Sequence, residues 1–401
     1  MQEILLNNAT VFTGEEVLTG VSVRVSGGFV QEVTEKPASG PETIDLEGNW
    51  LVPGFVDLQL YGGSDLFLNE LPTAETVDHI YRTHLKNGTT SVLPTLYSTS
   101  HAVNLAAVEA VRQVQQTNPN GVLGLHVEGP YINMVKRGAH SANYVRKPEE
   151  SELTELFEKG RDVIRILTIA PEIFTPAQLR HLLTLINPPS ASQRPNPQTP
   201  QPLNAPTLLS LGHSNATYRE ATDAFDGGIA LATHLYNAMR PFESREPGVV
   251  GAVFDHPGVR ASIIADGFHC DWATIRIARR LLGDRLFLIS DATLANPPRP
   301  EFAYEDFIIR YEEGRYLNQE GKLAGSSITL LEAVRNCIRH VGIEPFDALR
   351  MASTIPAEII GRGDTLGRIK SGYVANLTVL NPALEVTHVL ADGILQTPLP
   401  A

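Results

Sequence analysis

The chain has 401 residues, 42% hydrophobic and 19% charged, with a formal net charge of −13 at pH 7. That length supplies one large core or a large one beside a small one, and the acidic balance argues against a nucleic-acid partner, which selects a basic surface. Two cysteines, Cys270 and Cys337, make no disulfide framework and suit a reducing compartment; with no basic-then-apolar leader in MQEILLNNATVF and no membrane-length apolar run, the expected location is the cytoplasm, with no membrane partner.

Short strands are predicted at residues 4–6, 10–12, 21–25 and 29–33, separated by turn residues such as Ser26-Gly27-Gly28. A similar pattern returns at 375–380, 386–390 and 393–395. The two β-rich ends predict one small β-sandwich domain made from both termini, residues 1–52 and 366–401, flanking a unit at 53–365.

The central unit alternates apolar runs at 51–60, 89–96, 122–127, 163–169, 207–211, 229–233, 261–265 and 286–289 with helical patterns that include 74–86, 103–115, 176–186, 219–225 and 272–282. Eight such runs predict a (β/α)8 TIM-type barrel. A doubly wound open sheet also buries parallel strands, but the count of eight favours the barrel. The stretch 187–206, NPPSASQRPNPQTPQPLNAP, is too rich in proline for a helix or central strand and reads as a surface insertion between barrel units 4 and 5.

Barrel enzymes carry their chemistry where the strands finish. Here the first run ends in Asp57-Leu58-Gln59-Leu60-Tyr61 and the third in His126 and Glu128. The fifth ends in His213, the sixth in His234 before Asn237-Ala238, the seventh in Asp266-Gly267-Phe268-His269-Cys270, and the eighth in Ser290-Asp291. Glu128, His213 and His234 offer one carboxylate and two imidazoles, a set that suits a catalytic divalent ion with one open position. Taken singly, each histidine would pass as a core residue bonded to backbone; three at neighbouring barrel positions favour the metal. Residues 126 and 128 share a strand face, and His126 is expected one layer deeper, hydrogen-bonding in support of the ligands. Asp291 is expected to act as general base and acid rather than as a helix N-cap. Cys270 is expected to be a small buried hydrophobe, Cys337 core of a late helix, and Lys136 and Arg137 a solvated loop face.

The motifs HVEGPYIN followed by KRGAH, then LGHSNATY, THLYNAM with a later REPG, ADGFH, SDA and LAGS resemble, in order, the N-acetylglucosamine-6-phosphate deacetylase family of the amidohydrolase superfamily. The resemblance implies hydrolysis of an N-acetyl group from a phosphorylated amino sugar, with Glu128, His213 and His234 holding the metal and Asp291 as base and then acid. It further implies that His140 polarises the acetyl carbonyl and that Asn237, Ala238 and His269 contact the substrate. Leu323, Ala324 and Gly325 would line the sugar, and Arg245 would reach the phosphate of a neighbouring subunit's site in a homodimer. Arginine's planar fork suits a phosphate dianion; the competing reading of Arg245 is a surface ion pair with Glu243 or Glu246.

Many amidohydrolases carry His-x-His at the end of the first strand, holding a second metal. Here Gln59-Leu60-Tyr61 stands there, with Gln59 expected as a hydrogen-bonder or a weak metal contact, so one tightly bound divalent ion per subunit is predicted: zinc, with iron, cobalt or manganese also compatible. Some members of the family have Asn where Tyr61 stands. The rival readings are an amidohydrolase acting on a cyclic amide or another N-acyl substrate, and a non-catalytic barrel.

Overall fold

The computed structural model describes residues 3–35, 42–187, 206–295 and 299–396. The Pro-rich insertion expected at 187–206 lies outside them save its two end residues.

Eight parallel strands form the barrel, in spatial order matching chain order: Phe55–Leu60, Thr89–Leu96, Leu125–Glu128, Ile164–Ile169, Leu208–Leu211, Leu231–Ala232, Arg260–Ile264 and Leu286–Ile289. They are referred to below as barrel strands 1 to 8. Nearly every strand residue is buried, as expected when a parallel sheet has side chains inside and helices outside. The ring closes between strands 8 and 1. Asp291 N–H donates to the Gln59 carbonyl (2.9 Å) and Tyr61 N–H to the Ala292 carbonyl (2.8 Å). This seam sets Asp291 beside Gln59 and Tyr61.

The helices start on side chains suited to N-capping. Thr73 and Ser100 cap Ala74–Leu85 and His101–Gln115, and Thr175 with Gln178 and Thr217 with Glu220 form capping boxes on Pro176–Ile186 and Tyr218–Asp226. Val77, Ile80, Tyr81 and Leu85 of the first helix are spaced to face one side, and they join the barrel core.

Some expected boundaries move. The run at 51–60 divides at Gly54: Trp50–Pro53 pairs antiparallel with Leu377–Leu380, and Phe55–Leu60 begins the barrel. A Cβ on Gly54 would lie 2.1 Å from the Thr90 hydroxyl, so only glycine lets the chain cross there. The third strand begins at Leu125 rather than 122 and reaches Glu128, so the carboxylate is the last residue of the strand itself.

Both chain ends build one continuous eight-stranded sheet around its own apolar cluster, which includes Ile4, Val11, Val23, Leu51 and Leu377. A further antiparallel sheet, Glu301–Tyr304, Phe307–Glu312 and Arg315–Asn318, was not among the predicted elements. Its buried Phe302, Tyr304, Phe307 and Tyr316 pack with Tyr61, Phe67 and Tyr97 in one aromatic cluster beside the ends of barrel strands 1 and 2. Cys337 is fully buried where the helix Leu330–Asn336 runs on into a π-turn. Among the described residues no helix is long and apolar enough to cross a membrane.

Candidate active site

A cleft of about 330 Å³ opens at the C-terminal ends of the barrel strands, lined by Tyr61, His140, His213, His234, Asn237, Ala238, His269, Asp291, Leu323 and Gly325 among others. Glu128 lies beneath it, fully buried. The backbone around this cleft is strained: His213 (φ 48°), His234 (φ 38°), Ala238 (φ 51°) and Asp291 (φ 55°) all adopt left-handed conformations. For residues with a Cβ this costs about 1–3 kcal/mol each, and such strain gathers at functional sites.

Glu128 Oε1 lies 2.9 Å from His234 Nε2 and 3.2 Å from His213 Nε2, and the two ring nitrogens are 3.1 Å apart. One donor atom from each of the three residues falls within a 4.8 Å group. His213 Nδ1 donates to the Lys136 carbonyl (2.9 Å), which leaves the Nε2 lone pair facing Glu128 and His234. One carboxylate and two imidazoles converging in this way fit a divalent cation. Burial alone would raise the Glu128 pKa, but the contacts of His140, His213 and His234 outweigh it, and the carboxyl is held well below its usual range.

Asp291 shows the opposite behaviour. Burial, with the Glu128 charge nearby, pushes its carboxyl well above the usual range, which makes it a stronger proton acceptor than an exposed aspartate. No helix begins at Asp291, so the capping alternative has no support. Its Oδ1 accepts from Gln59 Nε2 (2.7 Å) and lies 3.1 Å from the Tyr61 hydroxyl. Gln59 Nε2 also donates to Tyr61 Oη (2.8 Å) and lies 3.3 Å from Glu128 Oε1. With carboxylates on both sides the amide must turn its NH2 inward, and it then presents no lone pair for a weak contact with an ion.

Tyr61 is the residue whose part the sequence left unassigned. Its hydroxyl donates to Glu128 Oε2 at 2.5 Å. Burial, then the charges of Asp291 and Glu128, push the phenol pKa far up, so the proton stays on oxygen. Its ring stacks on Tyr97 at 3.9 Å between centroids. The available signal was spacing: residues 59 and 61 flank the strand end with the same two-residue period as 126 and 128.

His140 is buried, and burial foremost lowers its pKa to about 4, so it is neutral at pH 7. The Ser98 backbone N–H donates to its Nδ1 (3.0 Å). The proton therefore sits on Nε2, which has no hydrogen-bond partner among the described residues and lies 3.5 Å from Glu128 Oε2. A buried, unsatisfied N–H at a cleft is a ready donor to a carbonyl oxygen. His126 faces elsewhere: Nδ1 donates to the Leu58 carbonyl (3.0 Å) and Nε2 accepts from the Thr168 hydroxyl (2.7 Å), one layer below the three-residue group.

His269 lines the far side of the cleft, its Nδ1 held by Asp266 Oδ2 at 2.7 Å. Asn237, Ala238, Leu323 and Gly325 line the same space, while Ala324 turns into the aromatic cluster. Cys270 is buried and its thiol is raised to about 12, an inert state. Arg245 is not brought to the cleft by its own chain: it is exposed and forms no ion pair with Glu243 or Glu246. The reading of Lys136 and Arg137 as a solvated face needs correction. Lys136 lines the cleft, and Arg137 is half-buried, donating to the His140 carbonyl (2.9 Å) and pairing with Glu320 (2.6 Å). Both are drawn inward because their loop must fold back to deliver His140. Lys322 also lines the cleft and went unnoticed in the sequence.

The amidohydrolase family model matches residues 50–395. The chain is 37% identical over 394 residues to the N-acetylglucosamine-6-phosphate deacetylase of Haemophilus influenzae, covering 97% of this chain and 98% of that protein. It is 32% identical over 399 residues to the N-acetylgalactosamine-6-phosphate deacetylase of Shewanella sp. (strain ANA-3), covering 98% and 95%. The crystal structure of N-acetylglucosamine-6-phosphate deacetylase from Pasteurella multocida aligns with a TM-score of 0.89 at 33% identity, covering 98% of this chain and 100% of that one.

Proposed function

The chain belongs to the amidohydrolase family, and from that premise we propose that it is a metal-dependent deacetylase that hydrolyses N-acetyl-D-glucosamine 6-phosphate to D-glucosamine 6-phosphate and acetate. The observation that carries this reading is a single cleft in which three convergent donor atoms, a buried carboxyl of raised proton affinity and an unpartnered imidazole N–H lie together. A divalent ion held by Glu128, His213 and His234, zinc before iron, cobalt or manganese, would supply Lewis acidity to a water and to the acetyl carbonyl.

The chain's own residues do the rest. Asp291 takes the proton of the attacking water and returns it to the amide nitrogen as the C–N bond breaks. His140 Nε2–H donates to the carbonyl oxygen as negative charge builds there. Asn237, Ala238 and His269 hold the sugar phosphate, and Leu323 and Gly325 line the sugar. Arg245 meets the phosphate in the neighbouring subunit of a homodimer; its exposure and lack of an ion pair leave it free to do so. We place the enzyme in the cytoplasm, where its two buried free cysteines suit a reducing medium.

The test is release of free amine from N-acetylglucosamine 6-phosphate, its unphosphorylated analogue and the galactose epimer N-acetylgalactosamine 6-phosphate. The reading requires the phosphorylated glucosamine derivative to have the highest kcat/KM. Equal rates with and without phosphate would defeat the phosphate assignment, and preference for the epimer would move the substrate to that of the Shewanella relative.

A further inference from the structure

Tyr61 is nearly fully buried, at 1% exposure, and its hydroxyl sits in a continuous hydrogen-bonded chain. Gln59 Nε2 donates to Asp291 Oδ1 at 2.7 Å and to Tyr61 Oη at 2.8 Å, and Tyr61 Oη donates to Glu128 Oε2 at 2.5 Å. The two carboxylates are thus joined by donors, and the short bonds fall on one oxygen of each, Gln59 Nε2 lying farther from Glu128 Oε1 at 3.3 Å. For Glu128 the other oxygen, Oε1, is the one that faces His213 and His234, at 3.2 and 2.9 Å. A buried carboxylate with one oxygen engaged by a short O–H bond has lost most of its freedom to rotate about its terminal torsion. The phenol is itself fixed by the parallel stack on Tyr97, with rings 6° from coplanar, so it cannot follow Glu128 if the carboxylate turns.

We propose that Tyr61 is a positioning residue: its hydroxyl pins Glu128 Oε2, so that Oε1 alone is presented with His213 and His234 to the divalent ion. The inference rests on the reading of those three residues as the ion's ligands and adds to it the device that sets Glu128 in place. The part played here is that of a partner standing behind a metal ligand, a role whose loss costs affinity without removing any donor. A purely space-filling role would need only the ring.

The experiment measures zinc affinity of the purified enzyme by equilibrium competition with a chromophoric chelator, alongside kcat and KM, for wild type, Tyr61→Phe and Tyr61→Leu. Phenylalanine keeps the stack and removes only the hydroxyl. The proposal expects Tyr61→Phe to fold as wild type by circular dichroism and gel filtration, to bind zinc about 10- to 100-fold more weakly, and to lose kcat with KM within twofold of wild type. Wild-type zinc affinity and kcat in Tyr61→Phe would overturn it. So would a loss confined to Tyr61→Leu, since that would make the ring the only contributor. Wild-type protein that binds zinc but does not deacetylate the sugar phosphate would sink the substrate assignment, and the affinity comparison would still decide the role of Tyr61. Wild-type protein that binds no divalent ion would overturn both.

Discussion

Replacing Asp291 with asparagine separates chemistry from architecture at this site. The side chains are isosteric, and the amide oxygen of asparagine can keep accepting from Gln59 Nε2, now at 2.7 Å. Glu128, His213 and His234 are untouched, so metal content should remain at the wild-type level. What is lost is the proton carrier for both water attack and amine departure. One acid/base group contributes about 10²- to 10⁴-fold; with both steps dependent on it, kcat should fall by about 10⁴, or about 5 kcal/mol of barrier at 1.36 kcal/mol per decade. Stability should move the other way. Asp291 is buried beside Glu128, and burial with that like charge is what raises its pKa, so a neutral amide relieves repulsion and the thermal midpoint should hold or rise. The assays are amine release at saturating substrate, elemental analysis of the purified variant, and thermal unfolding. Turnover above about one per cent of wild type would contradict a loss on this scale. Depleted metal would show that Asp291 belongs to the ion's ligands rather than to the proton path.

His140→Gln should lower kcat about 10²- to 10³-fold, because the N–H aimed at the developing oxyanion is lost while the ion's donors remain; an unchanged kcat would remove His140 from the reaction. Arg245→Met should raise KM at least about tenfold for the phosphorylated sugar, from loss of a charge-assisted contact, and leave the unphosphorylated analogue unaffected; equal effects on both would refute a phosphate contact. Acid stability tests a group outside the site. His84 is buried, and burial lowers its pKa to about 4, with its Nε2 at 3.0 Å from the Gly62 carbonyl. The folded value is depressed, so its contribution is complete above the unfolded value near 6.5 and is lost as pH falls toward 4. Between pH 7 and pH 5 this amounts to about 2 kcal/mol, so urea titrations of His84→Gln should show a correspondingly smaller acid loss than wild type; equal losses would contradict it.

Local chemistry made much of the fold and site legible. Buried parallel strands need near-continuous apolar runs, and the chain displays eight, six of them ending in polar or ionisable residues where a barrel opens to solvent. That is why Glu128, His213, His234 and Asp291 stood out. The three-stranded sheet at 301–318 carries the alternation of half-buried strands, EFAYEDFIIRYEEGRYLN, but which face it covers depends on residues far away in the chain. The short run at the sixth strand shows the limit of the pattern from the other side: only Leu231–Ala232 pair as strand, because the chain turns sharply into left-handed His234.

The sequence by itself determined the barrel, the β-rich ends and the residue types at the strand mouths, because periodicity and apolar content act locally. The roles within the mouth were decided by tertiary structure. Which histidine faces the ion site depends on the partner of its other nitrogen: the Lys136 carbonyl for His213, Ser98 N–H for His140, and Leu58 with Thr168 for His126. Glu128 and Asp291 are both acidic residues at strand ends, yet three histidines lower the proton affinity of one while burial and its neighbour's charge raise that of the other. Tyr61 reads as one more aromatic residue in the chain. Closure of strand 8 on strand 1 brings it between those two carboxylates, 67 and 230 residues away in sequence, and hydrogen bonds formed over such separations leave no periodic signal.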